Sequence, residues 1–417
     1  MASLSSVVGN DAEVLQERPF QLLLLSNILP PLGTALLSPV LGSLIDPLGA
    51  TPANIGLMMS AFTAPAIFGI PVVGIVADRY GRRPVILFGL LLFGTAGTAI
   101  ALTTTFQIAL LLRMFQGIGF AALTPIIITS IGDLYSGTKE ATAQGFRFTG
   151  SGLSQMIFPL AAGVLVGMAW QYPFVIYAIS FPIAAVIYVY FEEPVDSDVA
   201  QEGDENDVRE QLSGLWSLVS QRRAWTMVIA RGTPNIVWLG FLTYNSIIVT
   251  NLMGGSATDA GLLAAIGSLT YALSATQAGR IFARFDSQFY PLVAMHAAMA
   301  GGLGVVFIAG SLPLAFVGVV LMGVGFGISL SLYRSIITNL APPSFRGGLV
   351  SLAESGGRVT STFTPVVMGG AIAIAMQWMA FDAAVQIVGI GTGLAAASVG
   401  VGSLILAKFS PPIQNIA

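Results

Sequence analysis

Five charged residues stand well inside apolar segments of this 417-residue chain, where a charge is costly. Insertion scales put the cost at roughly 2.5–3.5 kcal/mol per charge at the centre of a membrane helix, so such side chains usually face protein or an aqueous cavity. A buried carboxylate that gains or loses an arginine partner can take up and release a proton. The five residues are Arg113, Arg147, Arg231, Glu354 and Arg358.

Three of these residues and one neighbour are candidates for a substrate or proton pathway. Glu354 and Arg358 are four residues apart, so a helix would place them on one face as an ion pair. Glu354 is the candidate proton carrier, because it is the only carboxylate well inside an apolar segment. The alternative is a static pair that neutralises Arg358 in the membrane. We expect Arg113, together with Gln116, to face the same pathway.

The other two arginines have a simpler interpretation. Arg147 and Arg231 lie about six residues from the ends of their segments, so their side chains could extend to the membrane interface. His296 is the only histidine in the chain. We expect it to pack between helices rather than to bind a ligand.

A second group of charges forms a compact pattern, Gly-Ile-Val-Ala-Asp-Arg-Tyr-Gly-Arg-Arg, at residues 74–83. The first glycine would let another helix approach closely, and the second would allow a tight reversal of the chain. The aspartate can bind a basic side chain or a helix N-terminus, and the arginines can bind lipid phosphate or carboxylates. The residues concerned are Gly74, Asp78, Arg79, Gly81, Arg82 and Arg83.

The composition places these charges in a membrane protein. Hydrophobic residues make up 55% of the chain and charged residues only 9%, with a mean hydropathy of +0.82. An average soluble domain is about a quarter charged. Apolar stretches of about 20 residues recur, each long enough to cross a hydrocarbon core of roughly 30 Å. The chain has no cysteine, which excludes disulfides, thiolate metal sites and cysteine nucleophiles.

Apolar runs between charged or turn-rich breaks predict an all-α polytopic membrane protein with twelve transmembrane helices. An acidic stretch after the sixth span is typical of a solvated linker. We therefore predict an N-terminal six-helix bundle at 1–191, an acidic linker at 192–224 and a C-terminal six-helix bundle at 225–417. The predicted spans are 20–45, 53–77, 84–103, 106–132, 141–167, 170–191, 225–250, 258–280, 289–311, 312–337, 348–376 and 379–407.

The basic residues predict the orientation. One set of loops carries the arginines and lysines, whereas the loops near 46–52, 104, 169, 252–257, 311 and 378 carry none. By the positive-inside rule, both termini and the linker are cytoplasmic. The first 17 residues lack the features of a cleaved signal peptide, so we expect the first span to be retained. The acidic linker favours the cell membrane of a prokaryote.

The two halves repeat each other at an offset of about 206 residues. Six helices, a linker and six similar helices indicate two parallel repeats about an axis normal to the membrane. The repeated positions are Gly74 and Gly279, Arg79 and Arg284, Gly117 and Gly323, Gly119 and Gly325, Pro159 and Pro365, and Gly163 and Gly369.

Residues 74–83 resemble the signature loop of the major facilitator superfamily, and residues 113–119 resemble its fourth-helix motif. The pattern is closest to the branch of twelve-span drug/proton antiporters. Pro159 falls where such antiporters carry a Gly-Pro pair, but Phe158 replaces the glycine. The resemblance covers essentially the whole chain and implies two six-helix bundles.

The resemblance also implies a gating role for the loop. In that family the loop latches the two halves in one state, with its aspartate near the start of span eleven, which here reads Arg346-Gly347-Gly348. Asp133, at the end of span four, is similar to the family's acidic partner for the loop arginines. The second half has Ala283 where the first has Asp78, so any latch there would be degenerate.

The function implied is secondary active transport by alternating access, with proton-coupled efflux of small amphipathic compounds preferred. The predicted first span contains no carboxylate, unlike many exporters of this kind, and four buried arginines would suit an anion. Uptake or exchange of a small anionic metabolite is therefore the alternative. A non-transporting membrane sensor on the same fold is a second alternative.

An enzyme is not favoured. The chain has no Gly-rich loop ending in Gly-Lys-Ser/Thr with which to bind ATP phosphates. We expect a small-molecule substrate, a lipid bilayer around the protein and protons as the candidate coupling ion. We expect a monomer with no cofactor, no metal and no nucleic-acid partner.

Overall fold

The computed structural model describes residues 10–193, 217, 220–285, 287–340 and 346–411. These ranges are mostly helical and contain no strand, and most of the predicted linker 192–224 lies outside them. The principal helices, numbered α1 to α12, are Arg18–Ser26, Leu57–Tyr80, Arg82–Ala99, Phe106–Leu134, Gly137–Val166, Ser180–Tyr190, Arg222–Ile247, Ala257–Ala275, Phe289–Ile308, Leu312–Leu340, Arg346–Ala375 and Phe381–Lys408.

Eight helical segments in the described ranges are long and apolar enough to cross a membrane. The number is nine if α2, which is bent by 55° between Ile70 and Val72, counts as one span. Helix α1 is too short to qualify. Helix α7 is the least apolar of the long helices, and nearly all of it beyond Ala230 is buried against protein.

The first predicted span, 20–45, is not one continuous helix. Helix α1 ends at Ser26, and Pro30 and Pro31 follow within five residues. Proline has no backbone N–H and fixes φ, so it interrupts the helical hydrogen-bond ladder. The carbonyl groups freed by such a break must be bound by other protein groups in a membrane. Short helical pieces complete the span at Leu32–Ala35, Gly42–Leu44 and Ile45–Leu48.

The helices pack as two bundles that meet along two seams. Helices α1 to α6 pack among themselves, as do α7 to α12. Between the bundles, α5 packs on α8 and α2 packs on α11. The repeat relates α2 to α8 and α5 to α11, so the two seams are equivalent and a pseudo-twofold axis relates the halves.

Paired glycines build both seams. A Cβ atom at Gly163 on α5 would lie 2.4 Å from the carbonyl oxygen of Ala257, and one at Gly369 on α11 would lie 2.2 Å from that of Ala53. No side chain fits at either distance, so both positions require glycine for close backbone approach. These glycines occupy repeat-related positions, as the sequence predicted.

The expected close helix approach at Gly74 is not found. Nothing lies within 4 Å of a Cβ atom built there, and the same is true of its repeat partner Gly279. Gly74 lies on the second half of α2, and Gly279 lies on the short helix Ala278–Arg284 that follows α8.

The hydrogen bonds between the halves cluster away from the signature loop, residues 74–83. Thr258 Oγ1 donates to the carbonyl of Gly163 at 3.1 Å, and Ser60 Oγ donates to that of Thr362 at 2.6 Å. Thr362 Oγ1 also donates to Thr63 Oγ1 at 2.9 Å. We call this the closed end, and we call the opposite side, which carries the signature loop, the loop end.

Candidate functional site

The signature loop is a tight helix-to-helix reversal held by an ion network. Helix α2 ends at Tyr80, and Gly81 has φ of +93° before α3 begins at Arg82. Such a φ is costly for any residue with a Cβ atom. Arg82 binds Asp78 at 2.5 Å and Asp133 on α4 at 3.1 Å. The structure therefore brings Asp78, Arg82 and Asp133 together; the resemblance implied the contact of Asp133 with a loop arginine, but not that of Asp78 with Arg82.

Glu193 is a member of this network that the sequence reasoning missed. Its carboxylate oxygens accept hydrogen bonds from the backbone N–H groups of Arg82 at 2.6 Å and of Arg83 at 3.0 Å. These N–H groups open α3 and have no partner within the helix, and a carboxylate there also complements the helix dipole. Its position 111 residues from Arg82 left no local signal to find it.

The remaining loop arginines face aromatic rings. The Arg79 guanidinium lies 5.6 Å from the ring centroid of Tyr80, and that of Arg83 lies 5.5 Å from Tyr188. Arg83 also donates to the backbone carbonyl of Tyr188. The Asp78 side chain is 69% exposed and bonds within its own half. The side chain of Arg346, at the start of α11 where the latch hypothesis places the partner of Asp78, lies outside the described part of the structure.

A salt bridge ties the N-terminal segment to α5 near the same end. Lys139 Nζ lies 2.5 Å from Glu17 Oε1. The hydrogen bond from Lys139 is the main cause of a lowered pKa for the Glu17 carboxyl, which burial partly opposes. The segment before α1 is thus fastened to the first turn of α5.

Arg113 is completely buried and bound by oxygen atoms that carry no full charge. Its Nε donates to the carbonyl of Met58 at 3.0 Å, and its amino groups donate to Gln116 Oε1 at 2.6 Å and to the carbonyl of Gly33 at 2.5 Å. Its guanidinium carbon lies 4.4 Å from the ring centroid of Phe62. The Gly33 carbonyl belongs to the interrupted first span, so Arg113 satisfies one of the groups that this interruption leaves free.

Glu354 pairs with Arg231, and the predicted Glu354–Arg358 ion pair is wrong. Arg231 NH2 on α7 lies 2.9 Å from Glu354 Oε1 on α11. Arg358 instead points across the molecule, with its guanidinium 5.4 Å from the ring centroid of Phe120 on α4. Spacing on α11 permits the i, i+4 pair, but the packing of α7 on α11 brings a competing arginine to the same carboxylate. Arg231 therefore does not extend to the interface.

His296 is a buried packing residue with one polar partner. It is 2% exposed, and its Nε2 lies 2.7 Å from the hydroxyl of Tyr333 on α10. A Cβ atom at Gly400 on α12 would lie 2.5 Å from its ring. Within the described ranges, no group of three or more histidine, aspartate and glutamate residues is placed to hold a metal ion.

Two further arginines flank the space between the bundles at the loop end. Arg147 on α5 is buried and donates from Nε to Gln144 Oε1 at 2.8 Å. Arg334 on α10 is exposed in a pocket of 340 Å³. The side chain of Arg147 was predicted to extend to the membrane interface. Arg334 was not predicted as a site residue, because it lies near the end of its apolar segment.

Two repeated bundles, a basic loop end and polar groups between the halves are the features of a polytopic membrane transporter. The sequence model of the Major Facilitator Superfamily matches residues 23–365. The chain belongs to this superfamily.

Its relatives include several proteins named for drug resistance and one named as an exporter. Multidrug resistance protein 1 of Bacillus subtilis strain 168 is 23% identical over 83% of this chain and 88% of its own length. The class H tetracycline resistance protein of Pasteurella multocida is 24% identical over 68% of this chain and 71% of its own length. The Bacillibactin exporter of Bacillus subtilis strain 168 is 32% identical, but the match covers 34% of this chain and 37% of the exporter. Two further multidrug resistance proteins of that species are matched over 34% and 44% of their lengths.

Solved structures share the fold at low sequence identity. A bacterial homologue of the human lysosomal transporter Spinster, in an inward-facing and occupied conformation, gives a TM-score of 0.76 at 16% identity, over 97% of this chain and 100% of that one. A D-xylose-proton symporter gives a TM-score of 0.77 at 16% identity, over 95% and 98% of the two chains. These likenesses establish the all-α fold of two six-helix bundles.

Proposed function

We propose that this chain is a secondary active transporter that exports small amphipathic compounds in exchange for protons. The observation that carries the proposal is Glu354, which is the only carboxylate well inside a long helix in the described ranges. Its side chain is 49% exposed, and it forms a salt bridge with Arg231 on another helix. The direction of transport is supported by the relatives named for drug resistance, two of which are matched over 88% and 71% of their own length, and by a partial match to a protein named as an exporter.

The Arg231–Glu354 pair can couple proton binding to conformation. A carboxylate that has an arginine partner in one state and lacks it in the other binds protons with different affinities in the two states. Helix α7 contributes Arg231 and helix α11 contributes Glu354, so a small movement of one helix relative to the other changes the distance between the guanidinium group and the carboxylate. A difference in proton affinity between states is what coupling requires.

Transport into proteoliposomes tests the proposal. The purified protein is reconstituted, a pH gradient is imposed or omitted, and uptake of a panel of cationic, neutral and anionic amphipathic compounds is measured. We expect accumulation of at least one compound that depends on the gradient and collapses with a protonophore. Flux that does not depend on the pH gradient would contradict proton coupling. Absence of flux for every compound would favour a non-transporting sensor.

We further propose that the loop end faces the cytoplasm, together with both termini. The native chain has no cysteine, so single cysteines report sidedness directly. Cysteines replacing Thr104 or Ser256 should react with a membrane-impermeant thiol reagent added outside cells. A cysteine replacing Ser197, in the linker and outside the described residues, should react only after the membrane is opened. The reverse pattern would contradict the orientation.

A second candidate function is uptake or exchange of a small anionic metabolite. It is favoured by the excess of arginines between the bundles, where Glu354 is the single deep carboxylate. This candidate predicts substrate-for-substrate exchange without a pH gradient, and the same proteoliposome panel separates it from proton-driven export.

A further inference from the structure

We propose that Arg147 and Arg334 together bind the anionic group of an amphipathic organic anion at the loop end of the space between the bundles. The inference rests on the proposed function that the chain is a carrier, and it specifies the charge of the compound carried. The anionic group is a carboxylate, sulfonate or phosphate, and the compound carries an apolar part that contacts Phe148.

The two arginines approach one aromatic ring from opposite halves of the molecule. The guanidinium carbon of Arg147 on α5 lies 4.3 Å from the ring centroid of Phe148, and that of Arg334 on α10 lies 5.6 Å from it. The ring therefore fixes both guanidinium groups through cation–π contacts. Phe148 itself is 46% exposed, so part of the ring is open to a ligand.

No carboxylate in the described ranges lies within ion-pairing distance of either arginine. Arg147 has a neutral hydrogen-bond partner, Gln144, on its own helix. The nearest deep carboxylate, Glu354, is bonded to Arg231 instead. Two arginines without a counter-charge repel each other across the gap. An anion placed between them would offset that repulsion and receive charge-assisted hydrogen bonds from both.

The pocket around Arg334 supplies the remaining donors. It is an open depression of 340 Å³ along one face of α10. The Thr338 hydroxyl donates to the backbone carbonyl of Arg334 at 2.8 Å, so the hydroxyl groups of Ser331 and Ser335 and the side-chain amide of Asn339 are the donors left for a carboxylate or phosphate. The pocket is lined by Ser331, Arg334, Ser335, Thr338 and Asn339.

The position of the site links occupancy to conformation. Helix α5 belongs to the first bundle and α10 to the second, so relative movement of the bundles changes the distance between the two guanidinium groups. When the loop end closes, the repulsion between the empty arginines rises, whereas an anion between them would draw the halves together. A ligand shifts a conformational equilibrium only through such differential contacts.

Binding of a matched pair of probes to the detergent-solubilised full chain tests the site. The probes are 2-naphthoate and the neutral 2-naphthamide, which share an aromatic body and differ in charge, and binding is measured by isothermal titration calorimetry. We expect 2-naphthoate to bind at least tenfold more tightly. Arg334→Gln should weaken its binding by about tenfold, as expected for loss of one charge-assisted hydrogen bond, and leave 2-naphthamide unchanged.

Charge reversal and a matched control make the test specific. Arg334→Glu should reverse the preference, so that 1-naphthylmethylammonium binds more tightly than 2-naphthoate. Arg147→Lys keeps the charge and should retain most of the affinity, whereas Arg147→Gln should lose it. Arg280→Gln removes an exposed arginine that bonds only to Gln277 among the described residues, and it should change nothing. Equal binding of the two naphthalene probes, or an equal loss in Arg280→Gln, would overturn the proposal.

A competition experiment with a lipid identifies the source of the anion. Dihexanoyl phosphatidylglycerol is added in competition with 2-naphthoate. Failure to displace 2-naphthoate assigns the site to a free organic anion, whereas full displacement assigns the same anion chemistry to a lipid headgroup and contradicts the free anion as occupant. These binding measurements do not depend on flux, so anion binding without transport would refute the proposed function and leave the site standing.

Discussion

The N-terminal and C-terminal bundles share their backbone packing but not their charges. Gly163 and Gly369 make equivalent close approaches at the two seams. In contrast, the ion network of Asp78, Arg82 and Asp133 has no counterpart among the described residues of the second half, where Ala283 replaces the aspartate. The second half instead contributes the half-exposed Glu354 and its partner.

This difference separates two tasks that one repeated fold performs. Close glycine contacts are needed where the backbones of the two bundles approach each other, and both repeats have them. The proposed latch at Asp78 and the proposed proton carrier Glu354 each act at one place in the molecule, so one copy of each is sufficient. We infer that the first bundle carries the groups that hold conformation, and that the second carries the groups that respond to protons.

The largest effect should come from Arg113, because its role is to complete the first bundle. Arg113→Met leaves buried acceptors at Gly33, Met58 and Gln116 without a donor, at a cost of about 1–3 kcal/mol for each unsatisfied group. We expect low expression or a strongly reduced temperature of thermal unfolding in detergent.

Arg231→Met is the matched variant in the second bundle. It leaves Glu354 unpaired, but that side chain is 49% exposed and can be hydrated. Its unfolding temperature should fall less than that of Arg113→Met. An equal or larger fall would show that the Arg231–Glu354 pair is also structural.

Glu354→Gln should abolish coupling while keeping the fold. As the proton carrier, the variant should bind substrate and exchange substrate for substrate in proteoliposomes, but lose accumulation driven by a pH gradient. As a static partner of Arg231, it should lower thermal stability instead, because it leaves a buried arginine without its counter-charge. Unchanged gradient-driven accumulation in a stable Glu354→Gln protein would rule out the carrier role.

Asp78→Asn should shift the balance between conformations. Losing a charge-assisted contact worth about 1–3 kcal/mol changes a two-state equilibrium by roughly tenfold or more. We expect the transport rate to fall by about that factor, with substrate binding in detergent little changed.

The reciprocal variant Ala283→Asp sharpens the comparison between the loops. It adds an exposed carboxylate at the repeat-related position and should leave transport unchanged. If Ala283→Asp restored transport to Asp78→Asn, the two loops would be interchangeable and the assignment of the latch to the first bundle would be wrong.

Among the variants expected to impair transport, the smallest loss should come from Glu193, which caps α3. Glu193→Gln removes the charge from two hydrogen bonds to backbone N–H groups, and caps of this kind contribute about 1 kcal/mol. We expect a loss in transport rate of a few-fold. Glu192→Gln changes the neighbouring exposed carboxylate and should have no effect; equal losses in both variants would point to the general charge of the linker.

Several features of this protein follow from sequence alone. Hydropathy requires a membrane protein, and the loop from Gly74 to Arg83 resembles one family, to which the chain does belong. The repeat at Gly163 and Gly369 was also predicted from the sequence. At both positions the backbone of the opposite bundle is too close for a Cβ atom, so glycine is required. The domain boundaries and the roles of the site residues stay predictions.

Tertiary structure decided which charges meet. Helical periodicity tells which residues share a face, but not which neighbouring helix covers that face, so Glu354 was assigned to Arg358 although Arg231 reaches it from α7. Likewise, no local pattern connects Glu193 to the start of α3, or Arg113 to the carbonyl groups of an interrupted span. Ion pairs and buried hydrogen bonds depend on atoms a few ångströms apart, and in this fold the partners come from segments far apart in the chain.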